Sequence, residues 1–187
     1  MWHLLFVLVL LMVSGLSRSG EIQDARLSHK DGEYQVYLSV NVDGEQPTIY
    51  RIATDYDRLA ELSDIIIESG FVERQDQDGN TIVRRRLLTK TCVVIFCFIA
   101  ELVEDVTNPA DGIIRTVIIP EQSNFEYGEA EWEILAVDDE HTHILFTSTF
   151  KPDFWIPPLI GPIVIKKMVL NKTQQTIDII ERLAESE

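Results

Sequence analysis

The C-terminal stretch PPLIGPIVIKKMVLNKTQQTIDIIERLA, residues 157–184, decides how the rest of the chain must fold. Its two opening prolines suit the first turn of a helix, where a backbone N–H would have no partner. From Ile163 onward it contains no Gly or Pro, and one helical face carries Ile165, Val169, Thr176, Ile180 and Leu183. Charged side chains, Glu181 among them, are expected mostly on the other faces. The pattern predicts one helix about 40 Å long, enough to cover a small sheet.

The composition indicates a single globular domain with an N-terminal extra segment. The chain has 187 residues and a formal net charge of −15, from 31 acidic and 16 basic side chains. Such a surface repels phosphate groups, which argues against nucleic acid as a partner.

The N-terminal segment, residues 1–19, differs from everything that follows it. Leu4 to Val13 is an unbroken run of ten apolar residues, followed by a zone rich in Ser and Gly. Ten residues are too few to span a bilayer, which needs about twenty. The pattern is typical of a secretory signal peptide, with cleavage after Gly15, Ser17 or Ser19. We therefore expect a periplasmic or secreted protein; the alternative is a protein anchored to the membrane by this segment.

Cys92 and Cys97 are the only cysteines in the sequence. On one straight strand they would lie about 16 Å apart, whereas a disulfide needs Cα atoms within about 7 Å. The pair can therefore bond only if the residues between them form a turn. Export to an oxidising compartment favours the disulfide, and two buried thiols are the alternative.

The middle of the chain reads as a series of strands joined by short turns. After a loose lead-in at residues 20–31, a strand alternates apolar and polar residues from Glu33 to Asp43, and short helices follow between Pro47 and Ser63. About six strands in hairpin succession then lead to the long helix. Short connections imply antiparallel pairing, so the sequence predicts an α+β domain over residues 32–187.

Two sequence motifs within this succession of elements resemble sequences of the START-like, or SRPBCC, superfamily. The stretch TIYRIATDY at 48–56, with Leu59 after it, and the stretch FKPDFWIPPLIG at 150–161 are similar to segments of its polyketide cyclase/dehydrase and coenzyme-Q-binding families. The resemblance covers residues 32–184. It implies a helix-grip fold, in which a curved antiparallel sheet of about six to seven strands wraps around the C-terminal helix. It also implies an apolar cavity for a lipid, isoprenoid quinone or polyketide.

We therefore expect a binding protein that holds a hydrophobic small molecule or lipid between sheet and helix, without a cofactor. The side chains expected to contact this ligand come from three strands and the helix: Val36, Leu38, Trp132, Ile134, Phe146, Ser148, Ile165 and Val169. The hydroxyl of Ser148 would then need a hydrogen-bond partner, either backbone or ligand.

An enzyme of the cyclase or dehydratase type is the alternative function. It would need an acid or base facing inward, and the candidates are Tyr34, Tyr127 and one of Arg84, Arg85 and Arg86, since three consecutive strand residues cannot all face outward. An inward arginine could hold an anionic head group or extend to the sheet edge. We expect no metal site, because neither the two cysteines nor His141 and His143 have a third ligand fixed by spacing.

Two apolar corners suggest a third possibility, a protein-interaction module. They are Val93–Phe96 and Phe154–Ile160, which stand at ends of elements where loops are usually polar. They could plug the cavity mouth, or make a transient contact with a membrane or a protein.

Overall fold

The structure is a computed structural model that describes residues 20–77, 80–93, 96–156 and 161–186. Within these ranges the chain forms eight strands, two α-helices and two short 3₁₀-helices. The strands are β1 (Ile22–Lys30), β2 (Glu33–Asp43), β3 (Ile66–Gln77), β4 (Asn80–Val93), β5 (Phe96–Ala110), β6 (Ile113–Ile118), β7 (Phe125–Ala136) and β8 (His141–Pro152). The α-helices are α1 (Gln46–Thr54) and α2 (Gly161–Glu185), and the 3₁₀-helices are Leu59–Glu61 and Pro120–Gln122.

All eight strands form one antiparallel sheet in the order β1-β2-β8-β7-β6-β5-β4-β3. The strands from β3 to β8 follow one another as hairpins, as the short turns predict. The long connection from β2 to β3 contains α1. Within the sheet, β2 is paired with β8, the last strand in the chain. The helix-grip α+β class is confirmed, with eight strands instead of the six to seven expected.

The additional strand is β1, and the prediction of a loose lead-in at residues 20–31 was wrong in this respect. Residues 22–30 pair with residues 33–40 of β2. A register shift between Ile22 and Asp24 interrupts the alternation, so that Ile22 and Leu27 reach the same face although they are five residues apart. The strand therefore lacks the regular period of two on which the prediction relied.

The helix α2 lies along β1 and β2 and ends against α1. Its first residue, Gly161, packs against the hydroxyl of Tyr34 near the start of β2, and Ala184 packs against Gly44 just beyond the end of β2. None of the described helices is long and apolar enough to cross a membrane. The expected opening of the helix at Pro157 and Pro158 lies outside the described residues.

The main core lies under α1 and the C-terminal half of α2. There Ile49 of α1 and Ile177 and Ile180 of α2 meet Val40 of β2 and Ile134 of β7. Glu181 is buried beside them, which contradicts its expected place on an outer face of the helix. The prediction failed because it treated every charged side chain as solvated.

The two cysteines form a disulfide bond across the hairpin of β4 and β5. Cys92 and Cys97 are directly opposite each other in the register, with their Cα atoms 4.0 Å apart. The hairpin thus supplies the turn that a separation of five residues requires.

Candidate functional site

The inner face of the sheet, defined as the face on which α1 and α2 lie, contains a strip of small side chains. The strip runs across the strands because its members are register partners: Val36 opposite Ser148, Ser148 opposite Ala130, and Ala130 opposite Thr116. Ser148 and Ala130 are half-buried, although neighbouring positions in the sheet are fully covered. Because none of these four side chains is large, any space left between the sheet and α2 would lie over this strip, and we call that space the hollow.

Aromatic side chains stand on both sides of this strip. On one side Trp132 and Phe146 pack with ring centroids 4.3 Å apart. On the other side Phe150 contacts Tyr34, at 5.6 Å, and Phe125, at 6.0 Å. The hollow therefore has a floor of small residues and aromatic walls, a lining suited to an apolar ligand.

The N-terminal half of α2 contributes a further apolar surface. Its residues Val164, Ile165, Met168, Val169 and Leu170 are only half-buried, whereas Ile177 and Ile180 in the C-terminal half are buried in the core. The protein's own side chains thus cover one half of the helix and leave the other half partly uncovered.

A buried ion pair is the main polar feature of the inner face. Arg85 on β4 is 8% exposed, and its Nε and Nη2 atoms both lie 2.9 Å from Oε2 of Glu104 on β5. The hydroxyl of Thr116, a member of the small-residue strip, donates to Oε1 of Glu104 at 3.4 Å, and the Arg85 guanidinium lies 5.3 Å from the Tyr56 ring centroid. Arg85 is therefore the arginine that faces inward. It is paired with Glu104 inside the protein, whereas the sequence had suggested an anionic head group or the sheet edge as its place.

Glu104 was absent from the sequence-based candidates, although a signal for it exists. Arg85 lies seven residues before Cys92, and Glu104 lies seven residues after Cys97. In a regular hairpin, positions equally far from a cross-strand pair are also opposite each other, and this register is observed. Taking the disulfide as a register marker would have placed the two charges together.

The eight predicted ligand-binding residues are found in three different locations in the structure. Trp132, Phe146 and Ser148 lie on the inner face in or beside the small-residue strip, and Ile165 and Val169 are on the half-covered part of α2. Val36 and Leu38 are buried on the inner face, and Ile134 is enclosed in the main core. The hydroxyl of Ser148 donates to the backbone oxygen of Glu129 at 3.0 Å.

The outer face of the sheet carries a groove of about 750 Å³ that the sequence analysis did not anticipate. It is lined by three consecutive residues from each of five strands, centred on Leu27, Val36, Ser148, Ala130 and Thr116. Because side chains alternate, these central residues expose backbone to the groove, and its walls are polar neighbours such as Glu131 and Arg115. The lining of this groove mixes polar and apolar side chains, and no described residue of α2 contributes to it.

Of the two tyrosines considered as acids or bases, only Tyr34 is on the inner face. Burial raises the pKa of Tyr34 and keeps its hydroxyl protonated at neutral pH. Tyr127 is exposed and donates to Glu33 on the outer face, and this hydrogen bond raises the pKa of Tyr127. Tyr127 is thus excluded from any chemistry in the hollow.

The two histidines of β8 are held by neighbouring polar groups. Nδ1 of His141 lies 2.7 Å from Oδ1 of Asp138, and Nδ1 of His143 lies 2.6 Å from Oδ1 of Asn41. In the described part of the chain, no three His, Cys, Asp or Glu side chains are grouped in a way that could hold a metal ion.

We expect His141 to titrate above its ordinary value, because the hydrogen bond that its ring donates to the Asp138 carboxylate favours the charged imidazolium and raises the His141 pKa. Asp138→Asn should return the His141 pKa toward its usual range, as followed by NMR titration of the ring protons. His143, which faces an amide and no carboxylate in this pair, serves as the internal control. An unchanged His141 titration in Asp138→Asn would contradict the pairing.

The described residues include only part of each of the two apolar corners. Trp155 is 75% exposed, and Phe154 packs against Phe98 at 5.9 Å and Phe125 at 6.3 Å. Residues 94–95 and 157–160, and with them most of both corners, lie outside the described residues.

The fold is shared with solved structures of low sequence identity. A START superfamily protein from Mycobacterium smegmatis matches with a TM-score of 0.63 at 20% identity, over 81% of this chain and 97% of the other. The Zhui aromatase/cyclase from Streptomyces sp. R1128 matches with a TM-score of 0.62 at 16% identity, over 82% and 94%. A STAR-related lipid transfer protein from Xanthomonas axonopodis matches with a TM-score of 0.61 at 9% identity, over 83% and 98%.

No protein-family model matches the sequence, and no curated protein matches it either. The structural matches extend over about four fifths of the chain. The chain therefore has the START-like fold, as its sequence motifs predicted.

Proposed function

We propose that this START-like domain is an exported carrier that binds a hydrophobic small molecule or lipid between the inner face of its sheet and α2. The observation that supports this most directly is the strip of small residues at Ser148, Ala130 and Thr116 between aromatic rings, together with the half-covered apolar surface on the N-terminal half of α2. An apolar ligand in this place would cover those surfaces, at about 25 cal/mol per Å² of apolar area removed from water.

Two further points support the two parts of the proposal. The structural neighbours include a STAR-related lipid transfer protein and an aromatase/cyclase, and the first of these supports a lipid as the ligand. The signal-peptide pattern of residues 1–19 supports export to the periplasm or the medium.

Native mass spectrometry of the full chain, purified from its own host, tests the proposal. We expect a complex heavier than the polypeptide by the mass of one lipid-sized molecule, which organic solvent releases for identification. A bare polypeptide mass under gentle conditions, with no uptake from added total lipid extract, would overturn the carrier function.

A cyclase or dehydratase is the second candidate, because one polar group does border the hollow. Arg85 and Glu104 stand at the end of the small-residue strip, with Thr116 between the strip and the carboxylate. However, each of the two charges already neutralises the other, so neither is free to act as an acid or base without breaking the pair. Turnover of a polyketide-like substrate that is lost in Glu104→Gln would favour this candidate over the carrier.

Trp155 supports an accessory proposal, a transient contact between this protein and a membrane or a protein partner near the start of α2. Its indole ring is the most exposed large apolar side chain among the described residues. An exposed aromatic ring beside a ligand site is a common means of approach to a lipid surface.

A further inference from the structure

Glu181 is a buried carboxylate that forms no ion pair with any residue in the described part of the chain. It is 7% exposed, and its Oε1 atom accepts from the backbone N–H of Gly20 at 2.6 Å and of Asp43 at 2.9 Å. The charged groups that act on it are Asp43 and Asp178, both negative, and burial raises the pKa of Glu181. None of the ion pairs among the described residues includes Glu181. A buried carboxylate in this situation is costly unless a positive charge accompanies it.

Gly20 holds the backbone nitrogen that would carry a positive charge next to Glu181 if the chain began at this residue. It is buried, and its nitrogen points at the Glu181 carboxylate. A β-carbon at Gly20 would collide with the Asn41 carbonyl oxygen and the Glu181 carboxylate, and it would lie 2.7 Å from Cγ2 of Ile177. The Gly20 carbonyl accepts from Nε2 of Gln174 at 3.2 Å. The site therefore fits glycine and fixes its nitrogen in one place.

The sequence before Gly20 has the form of a leader-peptidase site. Ser17 and Ser19 occupy the third and first positions before the Ser19–Gly20 bond, where such enzymes require small side chains. Cleavage after Gly15 or Ser17 also fits the sequence, so sequence alone leaves three candidates. The structure distinguishes them, because only cleavage after Ser19 places a new amino terminus on Glu181.

We propose that a leader endopeptidase hydrolyses the Ser19–Gly20 bond and that the new ammonium group of Gly20 forms a buried ion pair with Glu181. Water is added across the bond: Ser19 receives the carboxylate oxygen, and the Gly20 nitrogen receives protons and becomes an ammonium group. This inference rests on the export part of the proposed function. It adds the position of the cleavage and a structural purpose for it.

The ion pair would act on the attachment of α2 to the sheet. In the uncleaved chain the Gly20 amide offers Glu181 one hydrogen and no net charge, whereas an ammonium offers three hydrogens and a full positive charge. Because Glu181 is on α2 and also accepts from Asp43 of β2, the pair ties the new terminus, β2 and the helix together. The mature protein should therefore be more stable than its precursor.

The position of the cut is tested by the intact mass and N-terminal sequence of the full chain after expression in a secreting host. We expect a mature protein that begins at Gly20. A protein that begins at Leu16 or Arg18, or that retains Met1, would overturn the proposal, whether or not it carries a lipid.

The ion pair is tested by two chains that differ by one residue, released from a fusion so that one begins at Gly20 and the other at Ser19. We expect the chain beginning at Gly20 to melt about 5 to 10 °C higher, since a charge-assisted buried contact is gained. Introducing Glu181→Gln into both chains should abolish the difference. Equal melting temperatures, or a difference that survives Glu181→Gln, would contradict the ion pair.

A pH series provides a second readout that needs no substitution. The free α-amino group has a pKa of about 7.7 to 8.0, and pairing with Glu181 should raise it. The added stability should be present at pH 7 and lost as the pH rises through that raised pKa of the amino group. The advantage of the chain beginning at Gly20 should thus shrink at alkaline pH, and an advantage independent of pH would contradict the assignment.

Discussion

Arg85→Ala should lower the free energy of unfolding by about 3 to 5 kcal/mol, which is enough to unfold a large fraction of many domains of this size. The substitution leaves the Glu104 carboxylate buried beneath the hollow with only the Thr116 hydroxyl as a side-chain donor. It also removes the guanidinium that faces the Tyr56 ring. Urea denaturation followed by tryptophan fluorescence measures the effect.

The neighbouring residue provides a matched control for this prediction. Arg86 also forms two ion pairs, with Glu68 and Glu101, but it faces outward and is partly exposed to solvent. Arg86→Ala should therefore cost no more than about 1 kcal/mol. If the two alanine variants lost similar stability, Arg85 and Glu104 could not be a buried pair.

Replacing both partners separates the cost of an orphaned charge from the value of the pair. Arg85→Met combined with Glu104→Leu removes both charges and keeps apolar volume on the inner face, so it should be close to neutral in stability. A double variant as unstable as Arg85→Ala would show that the ion pair itself, and not the unpaired carboxylate, determines the loss.

Ser148→Leu should weaken binding of an apolar ligand by about tenfold to a hundredfold, because the larger side chain occupies the floor of the hollow between Trp132 and Phe150. A dansyl-labelled fatty acid is a suitable probe, with its fluorescence followed during titration. The fold should persist, since the substitution removes only one hydrogen bond, to the Glu129 carbonyl.

Thr147→Leu is the control for Ser148→Leu because it makes a similar change one residue away. Thr147 is exposed in the groove of the outer face, opposite Glu131 on β7. Its replacement should leave probe binding unchanged if the ligand lies on the inner face. The reverse result, loss of binding in Thr147→Leu alone, would move the ligand site to the outer groove.

The sequence was sufficient to predict the class of the fold, and the reason lies in its periodic patterns. Alternation in β2 and the hydrophobic face of α2 survive in the structure because these elements are each buried on one side. The strand β1 was missed because its irregular register removes the alternation. The partner of Arg85 was missed because a contact between strands depends on hairpin register, which no local pattern records.

The candidate site was predicted less completely than the fold. Strand alternation correctly assigned Trp132, Phe146 and Ser148 to one face, but alternation cannot distinguish a residue that lines a hollow from one, such as Ile134, that is enclosed in the core. That distinction depends on where α1 and the C-terminal half of α2 pack. Glu181 was missed for a related reason. A helical face is predicted from the spacing of many residues, so one charged residue that is buried does not change the prediction.

The free edge of the sheet at β3 exposes Ile67, Phe71 and Val72, each close to half accessible to solvent. An apolar edge of this kind would normally recruit a strand from another molecule and start aggregation. Here the backbone N–H of Phe71 is already taken by the Asp57 carboxylate at 3.0 Å, and the register of β3 shifts on either side, before Glu68 and again before Glu73. An incoming strand would therefore meet a bent edge with one backbone donor already occupied, which disfavours edge-to-edge pairing through β3 despite its exposed apolar side chains.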